Sequence, residues 1–90
     1  MTYTVTFIKK ARKHIIAFER SGDQALARKI VALKSELEKH PREGTGKPEM
    51  LKGNLSGLWS RRINREHRLV YSIEDDIVTV TVVSAKGHYE

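Results

Sequence analysis

Apolar and polar residues alternate at the start of the chain. Tyr3, Val5 and Phe7 fall on one side and Thr2, Thr4 and Thr6 on the other, the two-residue period of a half-buried β-strand over residues 2–8. The period then changes. Ile8, Ala11, Ile15 and Phe18 recur at spacings of three and four, which aligns them along one side of an α-helix over about residues 9–20, with Lys10, Arg12 and Lys13 facing water. Ser21-Gly22 ends that helix. Asp23 is a good N-cap, and Leu26, Ile30, Leu33 and Leu37 carry a second helical stripe as far as Pro41, which excludes the α conformation at His40. The pattern predicts a helical hairpin.

Strand signals dominate the second half. Residues 41–54, punctuated by Pro41, Gly44, Gly46, Pro48 and Gly53, read as a loop too long for a simple connection and therefore as a carrier of function. Residues 55–63 and 67–73 read as strands joined at Asn64-Arg65-Glu66, and residues 77–84, rich in Val and Thr, as another strand after Asp75-Asp76. The expected fold class is α+β in the order βααβββ, with the helical hairpin packed on one face of a small, mainly antiparallel sheet. The last three strands form a meander and the other face stays open to a ligand. On the segment 67–73, Leu69 and Tyr71 alternate toward the helices, whereas Arg68, Val70 and Ser72 fall on the other side.

Length and charge narrow the classes. Ninety residues make one small domain, 1–90, whose core contributes only a few kcal/mol, so a partner or a homodimer is an expected supplement. Seventeen Lys and Arg against eleven Asp and Glu give a net charge of +6, which points to a polyanionic partner: nucleic acid, a membrane surface or an acidic protein. The absence of cysteine excludes disulfides and a thiolate zinc site. The N-terminus lacks the apolar run of a signal peptide, and no segment reads as a membrane span, so cytoplasmic residence is expected.

Chemistry concentrates in residues 46–71, G-K-P-E-M-L-K-G-N-L-S-G-L-W-S-R-R-I-N-R-E-H-R-L-V-Y, and in the terminal His88-Tyr89-Glu90. Together these segments supply what RNA cleavage without a metal requires: a base for the 2′-hydroxyl proton, cations for the phosphorane, and an acid for the departing 5′-oxygen. Each group also has a plainer reading. Glu49 could be a solvated loop carboxylate, Lys52 surface charge, Arg68 an ordinary strand residue and His88 part of a frayed tail. Trp59, alternating with Leu55 and Gly57, reads as a packing anchor before a base-stacking platform, and His67, on the apolar side, as a structural histidine. His14 and His40 show no ligand spacing, so no metal site and no cofactor are expected.

The motif G-K-P-E-M-L-K-G-N-L-S-G-L-W-S-R-R-I, followed by E-H-R-L-V-Y and a terminal H-Y, resembles the YoeB/Txe toxins of the RelE superfamily. The resemblance implies a RelE-like, microbial-ribonuclease-like fold. It also implies the toxin of a type II toxin-antitoxin system, an mRNA interferase that cleaves messenger in the ribosomal A site and inhibits translation. The implied partners are the ribosome, its mRNA and a cognate YefM/Phd-like antitoxin, acidic and partly disordered. Carried over by residue, the resemblance makes Glu49 the general base, Arg68 the transition-state stabiliser and His88 the general acid, with Lys52, Arg62 and Tyr89 in support. One departure is the extra Glu90 after the tyrosine. The basic run Lys9, Lys10, Arg12 and Lys13 reads equally as a solvated helix face and as a ribosome-binding patch. Two other classes stay open: a non-catalytic ParE-like toxin, and a basic RNA-binding module whose polar groups only grip phosphates. Also open is whether His88 or the ribosome supplies part of the proton transfer assigned to Glu49.

Overall fold

The computed structural model describes residues 2–87. Strand β1 (Thr4–Phe7) leads into helices α1 (Lys9–Arg20) and α2 (Gln24–Lys39), followed by β2 (Glu49–Met50), β3 (Trp59–Arg62), β4 (Arg68–Glu74) and β5 (Thr79–Ser84). The sheet runs in the order β1-β5-β4-β3-β2. β1 pairs parallel with β5, and every other pairing is antiparallel. This is the expected α+β arrangement with one added strand.

The helical hairpin forms for the reasons its sequence suggests. Asp23 caps α2 by accepting from the Leu26 amide at 3.0 Å, and Gly22 takes the left-handed conformation (φ 79°) that lets the chain reverse. Leu26, Ile30, Leu33 and Leu37 of α2, with Ala11 and Phe18 of α1, bury against Leu69, Tyr71, Val80 and Val82 of the sheet. Ile8 is the exception to the predicted apolar stripe. It precedes α1 and is 41% exposed.

Three expectations are corrected. The segment 41–54 is not wholly loop, because Glu49 and Met50 pair with Ser60 and Trp59 as an edge strand. Residues 55–63 are not one strand. Gly53–Leu55 form a 3-10 turn, Gly53 and Gly57 both adopt positive φ, and pairing begins only at Trp59. Trp59 therefore does not share a strand with Leu55 and Gly57, although its packing against the core stands. Similarly, Asp75–Ile77 is a 3-10 turn closed by Val78 in the left-handed region, which leaves Ile77 exposed and delays the final strand to Thr79.

Register divides the sheet into two faces. The pairs Trp59↔Tyr71 and Arg61↔Leu69 face the helices, while Ser60↔Val70 and Arg62↔Arg68 face outward. Glu49 lies opposite Ser60 and so joins the outward set.

Candidate active site

The loop that delivers Glu49 is held by a buried arginine. Arg61 points to the helix side, where its guanidinium donates to Glu36 Oε1 at 3.0 Å and to the carbonyls of His40 at 3.0 Å and Glu43 at 2.9 Å. Its Nε donates to the Tyr71 hydroxyl at 3.4 Å, and that hydroxyl donates to the Pro41 carbonyl at 2.9 Å. Burial raises the Tyr71 pKa, with Arg61 and Arg42 opposing, so the phenol keeps the proton it donates. The Glu36 carboxylate also accepts from the Thr45 amide at 2.8 Å. Burial pushes its pKa up, but the hydrogen bonds from Thr45 and the Arg61 charge outweigh burial and hold it below its ordinary value.

Gly46 completes the approach to β2. Its carbonyl accepts from the Arg62 amide at 2.7 Å, and a Cβ at this position would meet the Arg62 carbonyl at 2.5 Å. Only glycine fits there. With the loop fixed on α2 and β3, Glu49 enters the sheet in register.

On the outward face, Arg68 Nη1 lies 3.8 Å from Glu49 Oε1, with side-chain exposures of 18% and 55%. The same nitrogen lies 3.4 Å from Ser60 Oγ. Arg62 is exposed opposite Arg68, and exposed Lys52 sits in the turn just beyond β2. Two of the three expected catalytic groups thus meet on one open surface. His88 and Tyr89, the other expected terminal site residues, lie outside the described residues, but the chain leading to them is anchored beside Arg68. The Arg68 amide donates to the Gly87 carbonyl at 3.1 Å, and the Gly87 amide to His67 Nδ1 at 2.9 Å.

His67 behaves as a structural histidine. Its ring lies 4.8 Å from the Phe18 ring, and the Asn64 side chain secures the turn before it by accepting from the Glu66 and His67 amides. His14 carries a role that spacing did not reveal: its Nδ1 accepts from the Ala85 amide at 3.1 Å.

An open groove of about 540 Å³ runs between the start of α1, the turn around Leu55 and Leu58, and the ends of β4 and β5. Lys10, His14 and Lys86 line it with Val70 and Gly87, whereas Glu49 and Arg68 stand outside it. Lys9, Lys10, Arg12 and Lys13 are all exposed, so the basic run is a solvated surface with Lys10 reaching the groove. Among the described residues no cluster of His, Asp or Glu could hold a metal ion, and no helix is long and apolar enough to cross a membrane.

A family model described as the YoeB-like toxin of bacterial type II toxin-antitoxin systems matches residues 7–89. A curated relative, Toxin YoeB of Mycobacterium bovis, is 50% identical over 72 residues, covering 80% of this chain and 82% of that protein. Among solved structures, a YoeB/ParE toxin from Agrobacterium tumefaciens superposes with a TM-score of 0.89 at 32% identity, covering 96% of this chain and 99% of that one. The toxin of a heterotetrameric YoeB-YefM toxin-antitoxin complex from Staphylococcus aureus superposes at 0.82 and 39% identity, covering 99% of this chain and 100% of its own.

Proposed function

Because this chain belongs to the family of YoeB-like toxins of bacterial type II toxin-antitoxin systems, we propose that it is a ribosome-dependent endoribonuclease that cleaves mRNA in the A site by metal-independent acid-base catalysis. The observation that carries this reading is the pairing of Glu49 with Arg68 at 3.8 Å on the sheet face turned away from the core. A carboxylate beside a guanidinium is the minimum for moving a proton while stabilising growing phosphate charge.

In the proposed reaction Glu49 takes the proton from a ribose 2′-hydroxyl. The 2′-oxygen attacks the adjacent phosphorus, Arg68 with Lys52 and Arg62 holds the pentacoordinate dianion, and the bond to the 5′-oxygen breaks as His88 supplies its proton. Tyr89 supports that histidine. The products are a 2′,3′-cyclic phosphate and a 5′-hydroxyl end, and no cofactor enters the balance. The groove offers an apolar wall of Leu55, Leu58 and Val70 beside Lys10 and Lys86, a setting suited to an unstacked base and its phosphates. Lys9, Arg12 and Lys13 extend that positive surface toward ribosomal RNA.

The regulatory partner in this reading is a cognate antitoxin, acidic to match the net charge of +6 and partly disordered until it folds along the open face. Similarity to the toxin of the YoeB-YefM complex supports that partner. The protein acts in the cytoplasm, where the ribosomes are.

The test is a translation extract in which messenger 5′ ends are mapped after adding wild-type protein or Glu49→Gln. Cuts at ribosome-occupied codons that vanish with the variant support the reading. Translation that stops equally with both proteins, without cuts, assigns the chain to non-catalytic binding.

A further inference from the structure

Beyond Ser84 the final segment no longer follows β4 as a regular strand, yet it is held by two imidazoles from different elements. The Ala85 amide donates to Nδ1 of His14 on α1 at 3.1 Å, and the Gly87 amide donates to Nδ1 of His67, just before β4, at 2.9 Å. The Gly87 carbonyl closes the arrangement by accepting from the Arg68 amide at 3.1 Å. We propose that His14 and His67 are positioning residues that clamp the C-terminal segment beside Arg68, and that they do so only as neutral imidazoles. This rests on the reading of His88 as the general acid.

An imidazole accepts at one nitrogen when neutral and at neither when protonated. Both N–H groups of the segment therefore lose their acceptors on acidification. The groups around His14 oppose its protonation: burial lowers its pKa, and Lys10 on its own helix, Lys86 on the segment and His67 from the sheet side lower it further. Against His67 lie the Phe18 ring and His14. These neighbours favour the accepting state of His14.

The clamp makes the described end of the chain a fixed point. Ala85 is fully buried and Gly87 is tied to the strand that carries Arg68.

Amide exchange measured by NMR on the full chain tests the clamp directly, alongside single-turnover cleavage in a translation extract. His14→Phe is expected to speed exchange at Ala85, and His67→Phe at Gly87, with cleavage falling in both. His14→Asn and His67→Asn, whose carbonyl oxygens accept without titrating, should restore protection and rate. In wild-type protein, protection at Ala85 should fall as acidification puts a proton on His14, by up to about tenfold per pH unit, and His14→Asn should lack that response. Unchanged exchange in the Phe variants, or wild-type protection at Ala85 that holds on acidification until the fold itself melts, overturns the clamp; the second measurement needs no variant to fold. Faster exchange with undiminished cleavage overturns the positioning role. His88→Gln at wild-type rate would instead remove the acid assignment while leaving the exchange results to judge the clamp alone.

Discussion

Arg61 and Arg62 are neighbours in sequence and face opposite sides of the sheet, so substituting each in turn separates the basic residues that hold the fold from those that serve the open face. Arg61 is fully buried and donates to Glu36, two loop carbonyls and the Tyr71 hydroxyl, whereas Arg62 is exposed. Removing one partner of a fully buried ion pair costs about 3–5 kcal/mol. Because the Glu36 side chain is 30% exposed and rehydrates when its partner is lost, Arg61→Ala is expected to cost about 2–4 kcal/mol. That is a large share of the roughly 5–13 kcal/mol that 90 residues supply at about 0.05–0.15 kcal/mol per residue. Arg61→Lys is the measurable variant. It keeps a cation for Glu36 but cannot fork across both carbonyls, so a loss of about 1–2 kcal/mol follows. Arg62→Ala should stay within about 0.5 kcal/mol of wild type.

Trp59 is the single tryptophan and lies two residues from Arg61, so its fluorescence reports urea unfolding without a label. With a slope near 1 kcal/mol per molar urea, Arg61→Lys should lower the midpoint by roughly 1–2 M at unchanged slope, and Arg62→Ala by less than about 0.5 M. If the two variants share a midpoint, the buried guanidinium is not what fastens residues 40–46, and the account of how Glu49 reaches the sheet is wrong.

Glu49→Gln should slow single-turnover cleavage by ~10²- to 10⁴-fold while leaving the circular dichroism unchanged, and a wild-type rate would remove it as the base. Arg68→Ala should slow cleavage by ~10²- to 10³-fold with a smaller effect on ribosome affinity, and Lys should recover only part; equal losses in both would make Arg68 a ground-state binder. Glu36, held below its ordinary value of 4.5, contributes stability that is complete above that pH and lost as pH falls through the folded-state pKa. Glu36→Gln should flatten that part of the urea-midpoint profile, and an identical acid limb would contradict the Glu36 contacts. Deleting residues 88–90 should abolish cleavage at unchanged melting temperature, and surviving activity would send the search for the acid to the ribosome.

The helices were legible because their signals are local. An Asp N-cap, a Gly after the first helix and stripes at helical spacing act within a few residues, and they gave α1 its observed bounds. β2 was not legible. Two residues carry no period, and Glu49–Met50 becomes a strand only because Arg61 and Gly46 hold the preceding loop against α2 and β3. The division of β4 into a core side and an open side followed from alternation alone, and it correctly set Arg68 opposite Leu69 and Tyr71. Alternation failed at Leu55 and Gly57 because glycines at positive φ interrupt it. His14 showed no ligand spacing in the sequence. Its partner is a backbone amide 71 positions away, and no pattern of side chains records an amide.

Charge is where a count of residues misleads most. Seventeen cations suggest a uniformly sticky surface, yet they are divided by which atoms they meet. Arg61 is spent inside the fold, and Arg42 makes a forked contact with Asp75 at 2.7 and 3.3 Å while lying 6.0 Å from the Trp59 ring. The Asp75 carboxylate also accepts from the Tyr3 hydroxyl at 2.6 Å, and the hydrogen bonds from Arg42 and Tyr3 hold its pKa below the ordinary value. These two arginines fasten the loop after α2 from opposite sides, one to α2 and β3, the other to the turn before β5. Arg62, Arg68 and Lys52 lie away from those contacts, and Arg68 meets Glu49 at 3.8 Å and Ser60 Oγ at 3.4 Å instead. The same alternation that buries Leu69 and Tyr71 thus decides which cations turn away from the core, and a one-residue slip of β3 against β4 would exchange Arg61 for Arg62 and lose the loop contacts together with the Glu49–Arg68 pair.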